Sequence, residues 1–195
     1  HKKSKDKHDK KHKDSHSRIE TFELKPGNQF NGIIHYLTEK TGGNIHKNGT
    51  IELTSNSTIS SANHQEPENV LDYQSNSCFG AKSGSKDFWV CFDFKNRKIE
   101  ITDYTIQSYR FSSGHLKNWV LETSKDNENW TQIDQHSDDL ALNGMNKIAS
   151  FKANPKGFAR YCRIRHTGEF WDYRPFASPG FSKIEFYGRL KSKKA

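Results

Sequence analysis

The sequence has 195 residues, 31% of them hydrophobic and 28% charged, with 31 Lys and Arg against 23 Asp and Glu. That length suits one domain, and no run approaches the roughly 18 consecutive apolar residues that a membrane-spanning helix needs. The net charge of +8 sits at the ends: residues 1–18 carry +5 and residues 189–195 carry +4, which leaves the body at −1 and removes the basis for a nucleic-acid reading of that body.

Residues 1–18, HKKSKDKHDKKHKDSHSR, contain no apolar side chain. Nothing there offsets the entropy of folding, so a basic His/Lys linker is expected. His8, His12 and His16 would line one helical face, yet a disordered chain holds no metal geometry, and a solvated linker is the plainer reading. The chain opens on His1 without a basic-then-apolar leader, and it reads as an excerpt of a longer protein. Residues 19–49 form an apolar lead-in (Phe22, Leu24, Phe30, Ile33, Ile34, Tyr36, Leu37) that ends at Thr41-Gly42-Gly43. Its FNGIIHYL run predicts a short helical turn packed on the main body.

Residues 50–190 read as β structure. Apolar and polar residues alternate in Ile51–Thr54, Ile99–Thr102, Trp119–Glu122, Cys162–Arg165 and Lys183–Phe186. Phe88–Phe94 is apolar on both faces, as a central strand requires. Turn signals at Asp126-Asn127, Asn143-Gly144, Asn154-Pro155 and Ser178-Pro179-Gly180 separate the runs. Trp119 and Trp130 bracket a hairpin and are expected to hold its strands in register. About eight short antiparallel strands predict an all-β sandwich or barrel, followed by a basic tail at 191–195.

The three cysteines, Cys78, Cys91 and Cys162, each lie in or beside an apolar run. An odd count of this kind suits buried free thiols in a reducing compartment. Three glycosylation-type triplets, at Asn48, Asn56 and Asn129, point the other way, although an Asn-rich chain produces such triplets by chance.

Seven segments, taken in order, resemble one family. They are Glu66–Asp72, Asp87–Phe94, Ile101–Ile106, Lys117–Asp126, Trp130–Asp134, Arg160–Gly168 and Ile184–Gly188. Together they resemble the discoidin, or coagulation factor V/VIII type C, family of galactose-binding-like domains. The resemblance implies an antiparallel jelly-roll β-sandwich and a module that binds rather than catalyses. Secreted members tie the ends of the domain with a cystine, and no cysteine stands near Leu53 or Gly188 here. The lead-in Phe30–Ile34 with Thr41–His46 resembles instead the segment preceding intracellular discoidin-like domains that follow BTB or other adaptor domains. A cytoplasmic location is expected on that basis, with a secreted or cell-surface one as the alternative.

No nucleophile elbow, zinc-protease helix, CxxC pair or phosphate-binding glycine loop is present, so no enzyme is expected. The resemblance places ligands at loops from one end of the sandwich. Three loops correspond: Ser60–Pro67 with His64, Asn76–Ser85 with Phe79 and Lys82, and Tyr109–His115 with Tyr109, Arg110, Phe111 and His115. In the third, a planar cation and aromatic faces suit a sugar, a carboxylate or an apolar side chain. The alternative there is an Arg paired to an acid with the rings turned inward. A fourth loop, Thr167–Gly180, carries five aromatics or cations that either cover a core edge or form an interface. The resemblance also suggests a structural calcium on Asp72, Ser77 and Glu185, all oxygen donors. Tyr73-Gln74 stands where the family has a glycine, and the alternative is a turn cap at Asp72 with Glu185 facing solvent. No other cofactor is expected. The expected partner is a protein docking on an adaptor module, with a carbohydrate as the alternative and a phospholipid surface ranked last.

Overall fold

The computed structural model describes residues 16–59, 65–172, 174 and 176–194. Two antiparallel sheets of five strands face each other. Strands β1 (Ser17–Phe22), β10 (Gly180–Lys193), β5 (Lys98–Ser108) and β8 (Ile148–Lys152) form the first in that order, with β3 (Phe79–Gly80) also pairing β10. The second runs β2 (Glu52–Ser55), β4 (Trp89–Asp93), β9 (Tyr161–His166), β6 (Trp119–Ser124), β7 (Trp130–His136). This is the expected sandwich, with ten strands rather than about eight.

The phenylalanines make the core. Phe79, Phe88, Phe92, Phe94, Phe181 and Phe186 are all buried, and Phe92 meets Phe186 edge-on at 5.1 Å across the two sheets. β4, read as apolar on both faces, lies between β2 and β9 inside its sheet, and β6, read as alternating, lies between β9 and β7. Trp119 is fully buried; its indole N–H donates to the Tyr104 hydroxyl at 3.0 Å, and its ring stacks on His136 at 4.5 Å. Trp119 pairs with His136 and Ser124 with Trp130, so the two tryptophans mark the ends of the β6–β7 hairpin. Both are structural, as expected: the open face of Trp130 carries the Arg163 guanidinium at 4.0 Å.

The lead-in helix is real. α1 (Ile33–Thr41) buries Ile33, Ile34 and Leu37 completely and stops where Gly42 turns left-handed. Two boundaries differ from expectation. β1 begins at Ser17, inside the segment read as linker, and β10 runs to Lys193, inside the segment read as tail. Each is held by the other: six consecutive pairs run from Ser17↔Lys193 to Phe22↔Gly188. Backbone pairing needs no apolar side chain, so hydropathy gave no sign of it. The earlier histidines, His8 and His12, lie outside the described residues. No helix among the described residues is long and apolar enough to cross a membrane.

All three cysteines are buried and unpaired. Burial pushes the thiols of Cys78 and Cys91 up to about 11, and it raises that of fully buried Cys162 well above the usual thiol value. The thiolate is the reactive form, so burial and the raised pKa both favour a packing role for these side chains.

Candidate functional site

The strand directions send four connections to one end of the sandwich: residues 56–88, 109–118, 137–147 and 167–179. β5 delivers Tyr109 there. Just before it, Ser108 Oγ donates to the Gly144 carbonyl at 2.5 Å and accepts the Lys147 N–H at 2.7 Å, which fastens the 137–147 loop to the strand end. Just after it, Gly114 makes the turn. Its φ is +84°, and a Cβ would stand 2.2 Å from the Ser178 carbonyl oxygen, so only glycine lets the 109–118 and 167–179 loops meet. The Gly180 N–H donates back to the Gly114 carbonyl at 3.1 Å.

Within this frame Tyr109 turns inward, 2% exposed, and its hydroxyl donates to Gln65 Oε1. Phe111 turns outward, 41% exposed, with its ring edge-on to Tyr109 at 5.0 Å. The Arg110 guanidinium lies 4.9 Å over the Phe111 ring, and one of its nitrogens donates to the Asn76 carbonyl at 2.9 Å. Among the described residues no ion pair involves Arg110; the Asn76 carbonyl and the Phe111 ring orient it. Beside this pair is a hollow of about 320 Å³ lined by Ile59, Gln65, Tyr109, Phe111, Ser113 and Ser178. Its size suits a small polar ligand.

Three other expected ligand residues are placed elsewhere. Phe79 is a core residue, fully buried between Phe88 and Phe181 at 5.8 Å each, because β3 pairs with β10 and points it inward. His115 is 2% exposed and donates from Nε2 to the Phe111 carbonyl at 2.9 Å. Burial holds its pKa below the usual imidazole value, so it is a neutral brace for the Arg110–Phe111 turn. Lys82 has an exposed side chain on the 81–84 stretch, which is bonded to 177–179 through Ala81 N–H to Pro179 O and Gly84 N–H to Ala177 O. His64 and its neighbours 60–64 lie outside the described residues, as do Tyr173 and Pro175.

The fourth loop divides its aromatics. Phe170 covers the core edge at 7% exposed, and Trp171 is tied down by its indole N–H to the Asp139 carbonyl at 2.7 Å, with Lys117 over its ring at 4.4 Å. Phe176 projects at 82% exposed, and Leu140 at 63% and Met145 at 61% project from another loop of the same end. Gln65, Ser113 and Ser178 line the hollow without having been singled out in the sequence. Glutamine and serine in a loop carry no pattern that marks them.

The sequence profile of the F5/8 type C domain matches residues 52–177, well over half of the chain. The chain belongs to the F5/8 type C domain family. Several solved structures share the architecture. A CBM32 module of a GH89 protein from Clostridium perfringens, in complex with GalNAc-β-1,3-galactose, is 14% identical with a TM-score of 0.58, over 71% of this chain and 96% of that one. Chitosan-binding module 2 from a chitosanase/glucanase of Paenibacillus sp. IK-5, in complex with chitotriose, is 14% identical with a TM-score of 0.55, over 71% and 97%. CBM32-3 from a family 31 glycoside hydrolase of C. perfringens is 18% identical with a TM-score of 0.55, over 72% and 92%. At these identities the likeness is one of fold.

The calcium that the resemblance suggests does not fit the residues of this F5/8 type C domain. Glu185 is neither a metal ligand nor solvent-facing: it is fully buried, and its two oxygens accept N–H groups from Gly32 (3.0 Å), Ile34 (2.8 Å), His35 (3.0 Å) and Phe186 (2.8 Å). It caps the N-terminus of α1, whose own cap position, Gly32, has no side chain to do so. Ser77 Oγ is spent on Ser75 Oγ, and Asp72 Oδ1 accepts the Gln74 N–H in a local turn. A cation is nevertheless present where those loops meet. The Lys183 ammonium, 4% exposed, donates to the carbonyls of Ser77 at 2.7 Å and Asn69 at 3.2 Å. A covalently tethered positive charge thus takes oxygen donors that a metal would need. Among the described residues no group of three His, Cys, Asp or Glu side chains is arranged to hold a metal.

Proposed function

We propose that this domain is a non-catalytic carbohydrate-binding module that holds a sugar at the hollow beside Arg110 and Phe111. The observation that carries the reading is the Arg110–Phe111 pair: an outward ring, half of it open, with a guanidinium oriented over it by the Asn76 carbonyl. A sugar ring offers an apolar face to an aromatic side chain and hydroxyl oxygens to a planar cation. The reading is supported by the ligands of the structural neighbours, GalNAc-β-1,3-galactose in one and chitotriose in another.

The test is thermal melting and calorimetric titration of the domain against those two oligosaccharides and their component sugars. A ligand at about 100 times its dissociation constant adds about 2.7 kcal/mol of stability, a shift of several degrees. Arg110→Ala and Phe111→Ala each remove that shift while leaving the unliganded melting temperature in place. Binding that survives both substitutions sinks the assignment of this hollow.

A second reading, a protein-docking adaptor within a larger chain, is favoured by one observation. Leu140, Met145 and Phe176 are exposed on loops of the same end, and exposed large apolar side chains suit a protein interface. Failure of every sugar, with a partner interface mapped onto these three side chains, would select it.

A further inference from the structure

Each sheet of the sandwich has two edge strands, and the described residues tie down three of the four. β2 gives its Leu53 N–H to His46 Nδ1 at 3.0 Å, and the edges at β7 and β8 are joined by the Asn154 N–H donating to the Ile133 carbonyl at 2.7 Å. β1 is the fourth. Among the described residues its backbone bonds to β10 alone. An open edge invites pairing with another chain, and natural sheets blunt theirs with proline, bulges or unmatched charge. β1 has no proline and keeps an unbroken register over six residues, with Ser17, Arg18, Ile19 and Thr21 exposed.

The charges of the strand decide what fits it. Residues whose backbone groups bond β10 alternate along β1 with residues whose groups point outward. Two copies meeting edge to edge about a two-fold axis must therefore pair outward residues with outward residues, and the axis passes through a residue. Two such registers pair five of the six residues of Ser17–Phe22. Centred on Glu20, the register sets that carboxylate against itself, which destabilises a sheet. Centred on Ile19, it sets Arg18 of each copy opposite Glu20 of the other, and Ser17 opposite Thr21. It also brings Ile19, 47% exposed in one copy, against its own counterpart on the axis. Arg18 already lies 3.0 Å from Glu20 within the strand, so the pairing makes a checkerboard of two cations and two anions on one face.

We propose that β1 is a self-pairing surface, and that a second copy of this chain docks there antiparallel in the Ile19-centred register. The first sheets of the two copies then join into one sheet of eight strands, in the order β8, β5, β10, β1 and back through β1, β10, β5, β8. That width lies within the range of natural sheets. Self-complementary charge favours a second copy over an unrelated extended segment, because the same two side chains supply both halves of the match. The proposal is independent of sugar binding at Arg110 and Phe111.

The test is sedimentation equilibrium of the full chain at rising concentration. The mass is expected to reach twice the 22.5 kDa of one chain by about 100 μM, a range that suits a small interface. Arg18→Glu sets carboxylates against Glu20, and Glu20→Arg sets cations against Arg18; each raises the dissociation constant at least about tenfold. Mixed together, these two variants regain opposite charges at both positions and form a heterodimer that neither forms alone. Glu20 also accepts the Tyr36 hydroxyl at 2.8 Å, so Ile19→Glu provides a variant that spares this bond. It sets two carboxylates on the axis while facing Lys191 within its own copy, and its melting temperature stays in place. Arg110→Ala and Phe111→Ala leave the dimer unchanged. A monomer of the unsubstituted chain throughout that range overturns the proposal, as does a dimer that neither Ile19→Glu nor Arg18→Glu weakens. A mixture of the two folded charge variants that stays monomeric overturns the register.

Discussion

The carboxylate of Glu185, in the middle of β10, receives the N–H of Gly32, a residue 153 positions earlier in the chain. Helix α1 is therefore capped by the last strand of the sandwich and not by its own sequence. The approach is tight. A Cβ at position 32 would lie 2.4 Å from the Phe186 carbonyl oxygen and 2.9 Å from the Glu185 carboxyl carbon. The lead-in is thereby an integral part of the domain, with its helix start and β10 mutually dependent.

Gly32→Ala is expected to destabilise the domain by roughly 2–4 kcal/mol, since the atom it meets is backbone and cannot swing aside. Urea denaturation measures it. A loss below about 0.5 kcal/mol would mean that α1 docks without this contact.

Glu185→Gln is expected to cost about 2–3 kcal/mol, because an amide presents a donor to N–H groups that need an acceptor. Burial pushes the Glu185 carboxyl up to about 7 from 4.5, against the four backbone N–H groups that favour the ionised form. The folded protein then binds more protons than the unfolded chain between those values, so this group makes stability fall as pH rises from about 4.5 to about 7. That component of the pH slope should vanish in the Gln variant.

Lys183→Met is expected to lower stability by about 1–3 kcal/mol, since the Asn69 and Ser77 carbonyls lose the ammonium they face. Calcium or a chelator should leave the melting temperature of the unsubstituted protein unmoved. A calcium-dependent rise would show that the metal displaces the lysine.

His136 bridges two carboxylates, with Asp134 and Asp139 each 2.7 Å from a ring nitrogen. Burial pulls its pKa down, and the two acids outweigh burial and leave it raised above 6.5. A raised folded pKa contributes stability that is complete below about pH 6.5 and lost as pH climbs through the folded value. The stability difference between the protein and His136→Gln should therefore shrink with rising pH above 6.5, measured by urea denaturation. Asp139 also holds the Trp171 indole through its carbonyl, so the same rise should loosen the 137–147 loop, read by amide exchange.

Much of the fold was legible because burial imposes a period. β2, β5, β6, β9 and β10 all appear in the alternation of their apolar residues, and β4 appears as a run apolar on both faces. β1 and β8 do not, since both are edge strands of the first sheet, β1 with mostly exposed side chains and β8 with none fully buried, and β3 is only two residues long. The site was half legible. Arg110 and Phe111 are exposed, but Tyr109, one residue before them, and His115, four residues after Phe111, turn inward. Whether a loop aromatic covers or protrudes depends on neighbouring loops that hydropathy does not see. Glu185 was misread for a related reason: a buried carboxylate answers a cation and a helix N-terminus alike, and both present positive charge. The adjacent Lys183 was the overlooked sign, an ammonium on the face of β10 that α1 and the 3₁₀ helix at Pro67–Leu71 cover.

The pairing of Ser17 with Lys193 has a mechanical consequence. Tension applied through the chain on both sides of the domain enters and leaves at one point, across the hydrogen bonds of β1 and β10 and not along them. Those bonds open one pair at a time, like a zipper, and the first six to part release β1 from the sheet without disturbing the phenylalanine core. The loops of the candidate site lie at the far end of the sandwich, and a modest pull peels this seam before it breaks the body of the domain.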